Sequence, residues 1–427
     1  MKLKCSFLHT PQNTLIQPDT VETIENGCLE FSESGQIESL IHDPTQLGSN
    51  DFDYSGCLAV PGFIDLHTHY PQTLAIAAPE TELLSWLNRR IFPEEERLNN
   101  PATADSIARL FVSKLLENGT TTACVYGSQF YAANKALFDE VSRSGLEIYS
   151  GLTLMDRHSP DALSFPFKKW IEENQTLYEL SLKHERVHYT VTPRFAISCS
   201  AELLEYAGDF SMRHQTWIQT HINETKSEIE WASSLFPEAG SYLQIYDSFN
   251  LIHSKSILGH SIHTTDQELE LMHERKAKIA HCASSNFFLG SGCFPMQRHQ
   301  MKGVAFGIGT DVGAGTQFSM LRELGDVYKA QQLLGNRLRP RDLLYLATRA
   351  GADILNRADL GCFGVGCRAD FVVFDWANDP YLTERVKRCE SVEDIFFTLI
   401  FLAEQRHVRA VFKDGRRVVS NPVQEVA

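Results

Sequence analysis

Pro61-Gly62-Phe63-Ile64-Asp65-Leu66-His67-Thr68-His69 joins an apolar strand pattern to two histidines that stand two residues apart. The apolar residues from Leu58 to Ile64 predict a buried strand that ends near these histidines. Successive side chains of a strand point to opposite faces, so residues two apart share a face. His67 and His69 are therefore expected to project from one side of the strand end. Because neutral imidazole is a common metal ligand, the pair predicts part of a metal site.

The middle of the chain alternates strand and helix patterns. Apolar residues recur at helical spacing from Ile107 to Leu116, and a strand pattern follows from Thr121 to Tyr126. With the strand before His67 there are eight such strands, the others at residues 121–126, 148–154, 187–192, 217–220, 257–259, 278–280 and 304–308. Eight strands alternating with helices over roughly 300 residues predict a (β/α)8 barrel. A doubly wound open sheet is the alternative fold.

Both ends of the chain carry a different pattern of short strands and turns. Val408–Phe412 and Arg416–Val419 flank Asp414-Gly415, a strong hairpin signal, and a similar pattern surrounds Ser34-Gly35. Two ends rich in strands around a barrel suggest one small sheet domain built by both. We therefore predict two domains, a small β-sandwich from residues 1–60 and 365–427 and a barrel from residues 61–364.

Composition limits the classes of partner. The net charge of −15 argues against a duplex nucleic-acid partner, because phosphate binding needs a basic surface. The longest apolar run, Ile395 to Ala403, is too short to span a bilayer, and the first residues lack a signal-peptide pattern. Ten cysteines without a CxxC pair are typical of reduced thiols. We expect a cytoplasmic protein that acts on a small molecule.

The predicted strand ends carry polar residues that complete the metal site. Catalytic side chains of a barrel enzyme lie at the carboxyl ends of its strands. Strand five ends at His221, strand six at His260 and strand eight at Asp311. We predict that one divalent ion, Zn²⁺ or else Fe²⁺, is bound with water in an open position. The predicted ligands are His67, His69, His221 and Asp311.

Three residues are candidates for proton transfer and charge stabilisation. Glu224 lies three residues beyond His221, so its carboxylate can turn back toward the metal and act as general base and then acid. Asp311 can also accept a proton while it contacts the metal. His260 is expected to orient the water and to stabilise developing negative charge.

These motifs resemble the amidohydrolase superfamily and, within it, the guanine deaminases, over almost the whole chain. His67-Thr68-His69 and Gly309-Thr310-Asp311 are similar to motifs found throughout the superfamily. The stretches that look specific to the narrower group are Tyr70-Pro71-Gln72, Leu83-Leu84-Ser85-Trp86-Leu87 and Thr192-Pro193-Arg194-Phe195. The resemblance implies hydrolysis of guanine to xanthine and ammonia in purine catabolism. It also implies one zinc per subunit and a homodimer.

The same resemblance implies a set of residues around the substrate. Gln72 would hydrogen-bond the ring edge, Arg194 would hold the C6 oxygen, and Trp86 and Phe195 would line a flat pocket. Trp86 and Phe195 are explained equally well by ordinary packing. A planar purine needs apolar walls and a few fixed polar groups, which fits this set. The full predicted substrate set is Gln72, Trp86, Arg194, Phe195, His221, Glu224 and Asp311.

Two alternatives remain open from the sequence. A related aminohydrolase or chlorohydrolase could act on 8-oxoguanine, cytosine or an s-triazine, because the metal site does not distinguish these substrates. The second alternative is a barrel that has lost catalysis and serves only as a scaffold. The presence of every ligand and of Glu224 argues against that second alternative.

Overall fold

A computed structural model describes residues 1–42, 47–80 and 82–421, so residues 43–46 and 422–427 of the predicted small domain lie outside the described residues. The strands are β1 (Lys2–His9), β2 (Glu22–Phe31), β3 (Ile37–Ile41), β4 (Phe52–Pro61), β5 (Phe63–His69), β6 (Thr120–Tyr126), β7 (Glu147–Gly151), β8 (Thr153–Leu154), β9 (Val187–Pro193), β10 (Trp217–Ile222), β11 (Ser256–His260), β12 (Lys278–His281), β13 (Ala305–Ile308), β14 (Phe371–Phe374), β15 (Val408–Lys413) and β16 (Arg416–Ser420).

The helices are α1 (Leu83–Trp86), α2 (Phe92–Glu96), α3 (Pro101–Glu117), α4 (Tyr131–Ser144), α5 (Phe167–Ser181), α6 (Ala201–His214), α7 (Lys226–Leu235), α8 (Tyr242–Ser248), α9 (Asp266–Arg275), α10 (Ala283–Phe288), α11 (Met296–Met301), α12 (Met320–Leu333), α13 (Pro340–Ala347), α14 (Arg349–Ile354), α15 (Pro380–Val386) and α16 (Val392–Leu402). A π-helical turn, Leu87–Ile91, joins α1 to α2. Within the described ranges, none of these helices is both long and apolar enough to cross a membrane.

The central sheet is a parallel barrel. Its strands follow the order β5, β6, β7, β9, β10, β11, β12 and β13, with the short β8 paired to β9. These are the eight predicted strands, so the (β/α)8 prediction is confirmed. The first and last strands meet where Asp311 N–H donates to the His67 carbonyl at 2.7 Å. Thr310 N–H donates to Asp65 Oδ1 across the same seam at 3.0 Å.

The seven remaining strands form one mixed sheet from both chain ends, in the order β16, β15, β14, β4, β1, β2 and β3. Phe31 on β2 and Phe412 on β15 have ring centroids 6.5 Å apart, although their strands are four places apart in that order. A flat sheet would separate them by about 19 Å at ~4.8 Å per strand. The sheet therefore curls around its own apolar core, in agreement with the predicted sandwich-like domain. The predicted domain boundaries stay a prediction.

The small sheet leads directly into the barrel. β4 belongs to the small sheet, and only Gly62 separates it from β5, the strand that carries His67 and His69. A Cβ atom at Gly62 would lie 2.3 Å from Thr121 Oγ1, so this junction requires glycine for a close approach. The strand that carries the two predicted metal-binding histidines is therefore paired within the barrel and continues directly from a strand of the small sheet.

Candidate metal centre and active site

Four side chains converge at the carboxyl ends of the barrel strands. His69 Nε2 lies 3.2 Å from His67 Nε2, 3.3 Å from His221 Nε2 and 3.0 Å from Asp311 Oδ1. His67 Nε2 lies 3.3 Å from the same Asp311 oxygen. Ligands of a tetrahedral ion with bonds of about 2.0–2.1 Å are separated by about 3.3 Å. The predicted ligand set therefore fits one ion of this size.

His260 is a fourth imidazole in the same cluster, with its ring centroid 5.3 Å from that of His67. His67, His221, His260 and Asp311 also offer ligand atoms within 4.8 Å of one another. However, His260 Nε2 is 3.9 Å from Asp311 Oδ2 and 3.6 Å from Glu224 Oε2. The shorter separations favour His69 as the third imidazole ligand and leave His260 between the carboxylates of Asp311 and Glu224.

Burial and one backbone contact favour neutral imidazoles at this site. His221 Nδ1 lies 2.7 Å from the Arg194 carbonyl, which can only accept, so Nδ1 carries the proton and Nε2 keeps its lone pair. Burial lowers the pKa of His67 and lowers the pKa of His69 to about 4. Burial, together with His67 and His69, holds the pKa of His221 well below its usual range. Neutral imidazoles arranged in this way need no proton release before they bind a cation.

Backbone shape at the strand ends makes room for these rings. A Cβ atom at Gly259 would lie 2.6 Å from His67 Cε1, and one at Gly309 would lie 2.6 Å from His67 Cβ. Asp311 and His260 adopt left-handed backbone conformations, with φ of 49° and 70°. Such conformations are uncommon for residues other than glycine and often occur at functional sites.

Asp65 is a site residue that the sequence reasoning missed. It is fully buried on β5, and its Oδ1 accepts hydrogen bonds from His67 N–H at 3.1 Å and from Thr310 N–H at 3.0 Å. Its Oδ2 accepts from Thr310 Oγ1 at 2.5 Å. Asp65 thus ties the strand that carries His67 to the residue before Asp311. An acid inside an apolar strand, two residues before a histidine, was the available signal.

Glu224 is buried beside the four ligands. Its Oε1 accepts a hydrogen bond from Ser291 Oγ at 3.2 Å. Burial and the negative charge of Asp311 raise its pKa to about 8. Its backbone N–H donates to Glu228 Oε2 at 2.9 Å, and Glu228 also caps α7 through Thr225. A carboxyl group with a pKa near neutrality can both take and return a proton.

A pocket with about 410 Å³ of empty space, part of it open to solvent, lies above this cluster. All of the predicted substrate-contacting residues line it, and Leu83, Leu87, Leu289 and Ala314 add apolar walls. The lining residues are His69, Gln72, Leu83, Trp86, Leu87, Arg194, Phe195, His221, Glu224, Glu228, His260, Leu289, Asp311 and Ala314. The structure brings all the predicted site residues together, and each of them lines the cavity except His67, which lies beneath it among the proposed ligands.

Glu95 is a second residue that the sequence reasoning missed. It lies on α2, is 1% exposed, and accepts hydrogen bonds from Gln72, Gln129 and Arg194. The local sequence Pro93-Glu94-Glu95-Glu96 resembles a solvated acidic turn and gave no signal that one of its acids is buried.

Comparison with known proteins identifies the class of protein to which this barrel belongs. A model of the amidohydrolase family matches residues 58–418. The chain belongs to this family.

Individual relatives narrow the class. The guanine deaminase of Escherichia coli K12 is 38% identical over 368 residues, which is 86% of this chain and 84% of that protein. A solved structure of an E. coli guanine deaminase superposes with a TM-score of 0.93 at 34% identity, covering 99% of this chain and 100% of that one. A guanine deaminase from C. acetobutylicum, solved with guanine bound in the active site, gives a TM-score of 0.90 at 25% identity, covering 98% of this chain and 99% of that one.

Proposed function

We propose that the protein is a guanine deaminase that hydrolyses guanine to xanthine and ammonia. The observation that carries this proposal is the cavity that Arg194, Gln72 and two aromatic side chains line together with three imidazoles and three carboxyl groups. A planar base fits between apolar walls, and a few fixed donors and acceptors distinguish it from similar bases. The similarity to guanine deaminases over most of the chain supports the same substrate.

His67, His69, His221 and Asp311 are the residues that would hold a metal ion, and we propose Zn²⁺. Three nitrogen donors and one carboxylate oxygen suit zinc, and Fe²⁺ accepts the same donors. When bound, the ion supplies a Lewis acid that lowers the pKa of a coordinated water to about 7. An adenosine deaminase from Xanthomonas campestris, which shares this fold, was solved with zinc bound.

Glu224 carries the protons in this proposal. Its carboxylate takes a proton from the attacking water and returns it to the substrate, so that the C2 amine leaves as ammonia and oxygen takes its place. His260 Nε2 lies between the carboxylates of Glu224 and Asp311, where it orients the water. His260 Nδ1 is 3.0 Å from Asn286 Oδ1, and this contact fixes the imidazole ring. Asp311 is a second carboxylate, besides Glu224, that can accept a proton in this proposal.

A second group of residues that line the cavity is proposed to recognise the base. Arg194 only donates hydrogen bonds, so it suits the C6 oxygen of guanine and disfavours an exocyclic amine at that position. Gln72 offers an amide to the ring edge. Trp86 is held by a hydrogen bond from its Nε1 to the Ala78 carbonyl at 3.1 Å, so its ring is a fixed wall. Phe195 forms part of the same apolar lining.

Ammonia release by purified protein tests the proposal. We expect guanine to give the highest kcat/KM in a panel with 8-oxoguanine, cytosine and melamine. A chelator should abolish turnover, and added zinc should restore it. His67→Ala should lose metal and activity together, measured by elemental analysis and by ammonia release. A higher kcat/KM on another base would refute the substrate, and a protein that neither contains nor responds to metal would favour the scaffold alternative.

We also propose a homodimer. Leu333 at the end of α12 and Phe401 and Leu402 at the end of α16 are exposed apolar residues on two helices that pack together. Exposed apolar groups of this kind are frequent in subunit interfaces. Light scattering at micromolar concentration should give twice the mass of the 48.2 kDa chain, and a monomer would contradict the proposal.

A further inference from the structure

We infer that Glu95 is a positioning residue that sets substrate specificity by fixing Arg194 and Gln72 together. This inference rests on the proposed function. Glu95 Oε1 accepts from Gln72 Nε2 at 2.9 Å and from Arg194 Nη1 at 2.8 Å. Its Oε2 accepts from the same Arg194 nitrogen at 2.7 Å and from Gln129 Nε2 at 2.8 Å. One carboxylate therefore joins both proposed recognition side chains.

Burial makes this carboxylate essential to the charge balance of the pocket. Arg194 is 3% exposed, and among the described residues its ion-pair partner is Glu95. A buried guanidinium without a counterion is strongly disfavoured and moves toward water or recruits another anion. Phe92, also on α2, lies under the guanidinium at 5.1 Å and holds its apolar face. Glu95 thus keeps Arg194 in place without lining the cavity itself.

Glu95 also fixes the orientation of the Gln72 amide. An ionised carboxylate only accepts hydrogen bonds, so the Gln72 group that faces it must be the NH₂. On the other side, Gly313 N–H donates to Gln72 Oε1 at 3.2 Å. The two contacts select one of the two amide orientations. The free lone pair of Oε1 and the second N–H are therefore presented to a ligand in a defined pattern.

The donors that remain on Arg194 are the ones a ligand can use. Within the described part of the chain, the Arg194 side chain makes two hydrogen bonds. Both are donated by Nη1, and Glu95 accepts both. Nε and Nη2 remain, and Arg194 lines the cavity. The guanidinium is planar, so holding one nitrogen fixes the direction of the others. Glu95 consequently aims the donors at the position proposed for the C6 oxygen.

Kinetics of Glu95→Gln test this inference, with Glu96→Gln as the matched control. Glu96 is exposed on the same helix, so its variant should match the wild type. Glu95→Gln should lower kcat/KM for guanine roughly 100-fold, mainly through KM, because misplaced binding groups cost about that much. Metal content should not change. If Glu95→Gln folds poorly, Glu95→Asp keeps the charge with a shorter reach and should give a smaller rise in KM.

A double-mutant cycle separates a positioning role from a general structural one. Arg194→Gln combined with Glu95→Gln should lose less kcat/KM than the product of the two single losses, because Glu95 acts partly through Arg194 and partly through Gln72. Losses that multiply would overturn the inference, as would a Glu95→Gln enzyme with wild-type KM. A wild type inactive on guanine would instead refute the proposed function. In that case a crystal structure of Glu95→Gln decides, since an unmoved Arg194 would refute the positioning role independently of substrate.

Discussion

Glu224 combines the features required of a proton-transfer group more fully than its neighbours. It is 3% exposed, faces His260 and carries a pKa of about 8. Burial causes most of that shift, and the negative charge of Asp311 adds to it. The proposed ligands do not need Glu224 to hold a cation, because their own donor atoms already stand about one tetrahedral edge apart.

Glu224→Gln should therefore retain metal and lose most turnover. The amide preserves the size of the side chain but cannot accept and return a proton, so we expect kcat to fall about 10²–10⁴-fold. Elemental analysis and steady-state kinetics on guanine measure the two effects separately. Glu230→Gln, an exposed change on the adjoining helix α7, is the control. A Glu224→Gln enzyme with near wild-type kcat would remove this residue from the mechanism.

At the residue scale, local sequence patterns indicated the residues that converge at the site, but not the buried acids that hold those residues in place. The convergence of His67, His69, His221 and Asp311 could be predicted because each stands at a strand end, which is a local property. Their role as metal ligands stays a prediction. Asp65 and Glu95 could not be predicted, because their roles depend on partners distant in sequence. Asp65 bonds to Thr310, 245 residues away, and Glu95 bonds to Arg194, 99 residues away. Such pairs form only when the folded barrel brings distant strand ends and loops together.

Strand register is the element-scale property that shapes the metal centre. β10 and β11 pair in parallel, with His221 opposite Gly259 and Ile222 opposite His260. This register places a residue without a side chain beside the His67 ring. A one-residue shift would put the His260 side chain into that space, so pairing and site geometry depend on one another.

Gly259→Ala should displace the His67 ring without unfolding the barrel. The new methyl group would lie 2.6 Å from His67 Cε1 and 2.9 Å from Nδ1, so the ring must move. We expect weaker zinc binding, measured by competition with a chromophoric chelator, and a normal far-UV circular dichroism spectrum. Gly325→Ala in α12 is the control, because its nearest atom is 3.6 Å away. Unchanged zinc affinity in Gly259→Ala would contradict this role of the glycine.

Helix α12 carries a buried acid that makes stability depend on pH. Glu323 is fully buried and accepts from Ser284 N–H at 3.1 Å. Burial raises its pKa to about 8 from an ordinary value of 4.5. The folded chain therefore holds a proton that the unfolded chain has lost. Its stabilising contribution is complete below about pH 4.5 and disappears as the pH rises through about 8.

The melting temperature of the wild type should accordingly fall between about pH 5 and 8, and Glu323→Gln should reduce that fall. The group contributes at most about 1.4 kcal/mol per pH unit within the window between its two pKa values. Differential scanning calorimetry across the pH range measures the slope. Glu384→Gln, at an exposed carboxylate, should leave it unchanged. Identical slopes in wild type and Glu323→Gln would show that Glu323 is not the titrating group.

For the whole molecule, alternating strand and helix patterns predicted the barrel because each βα unit is a local event. The strand order of the seven-stranded sheet could not be predicted in the same way from the sequence. β1 pairs with β2 and β4, whereas β14 inserts between β4 and β15, so strands from opposite ends of the chain are neighbours. The curl that brings Phe31 near Phe412 depends on packing across four strands. No local pattern encodes that contact, although both hairpins within the sheet were predicted correctly.

The barrel and the small sheet are joined by a cluster of charges around Glu147. This residue begins β7, at the end of the barrel opposite the metal centre, and is 2% exposed. Its carboxylate contacts Arg357 and Arg368, and its Oε2 lies 3.6 Å from Lys413 Nζ on β15. Burial and the nearby cations lower the pKa of His188 to about 4, so His188 adds no positive charge. Glu147 thus contributes negative charge opposite three cations, Arg357, Arg368 and Lys413, that are distant from it in sequence.

Glu147→Gln should lower the stability of the whole molecule without changing its chemistry. Removing one partner of a buried ion pair costs about 3–5 kcal/mol when the other charge is left uncompensated. Here Arg357, Arg368 and Lys413 keep Asp359, Asp414 and Asp370 as second partners, which reduces the loss. We expect a value near the lower end, because Arg357 and Arg368 are about one-fifth exposed. The midpoint of urea unfolding should fall, whereas zinc content and kcat should stay at wild-type values, since the centre lies at the other end of the strands. Glu140→Gln, which removes a surface pair with Arg143, should shift the midpoint little. A Glu147→Gln variant that lost metal but kept its unfolding midpoint would contradict this role. The cluster would then stabilise the candidate metal site and not the contact between the two sheets.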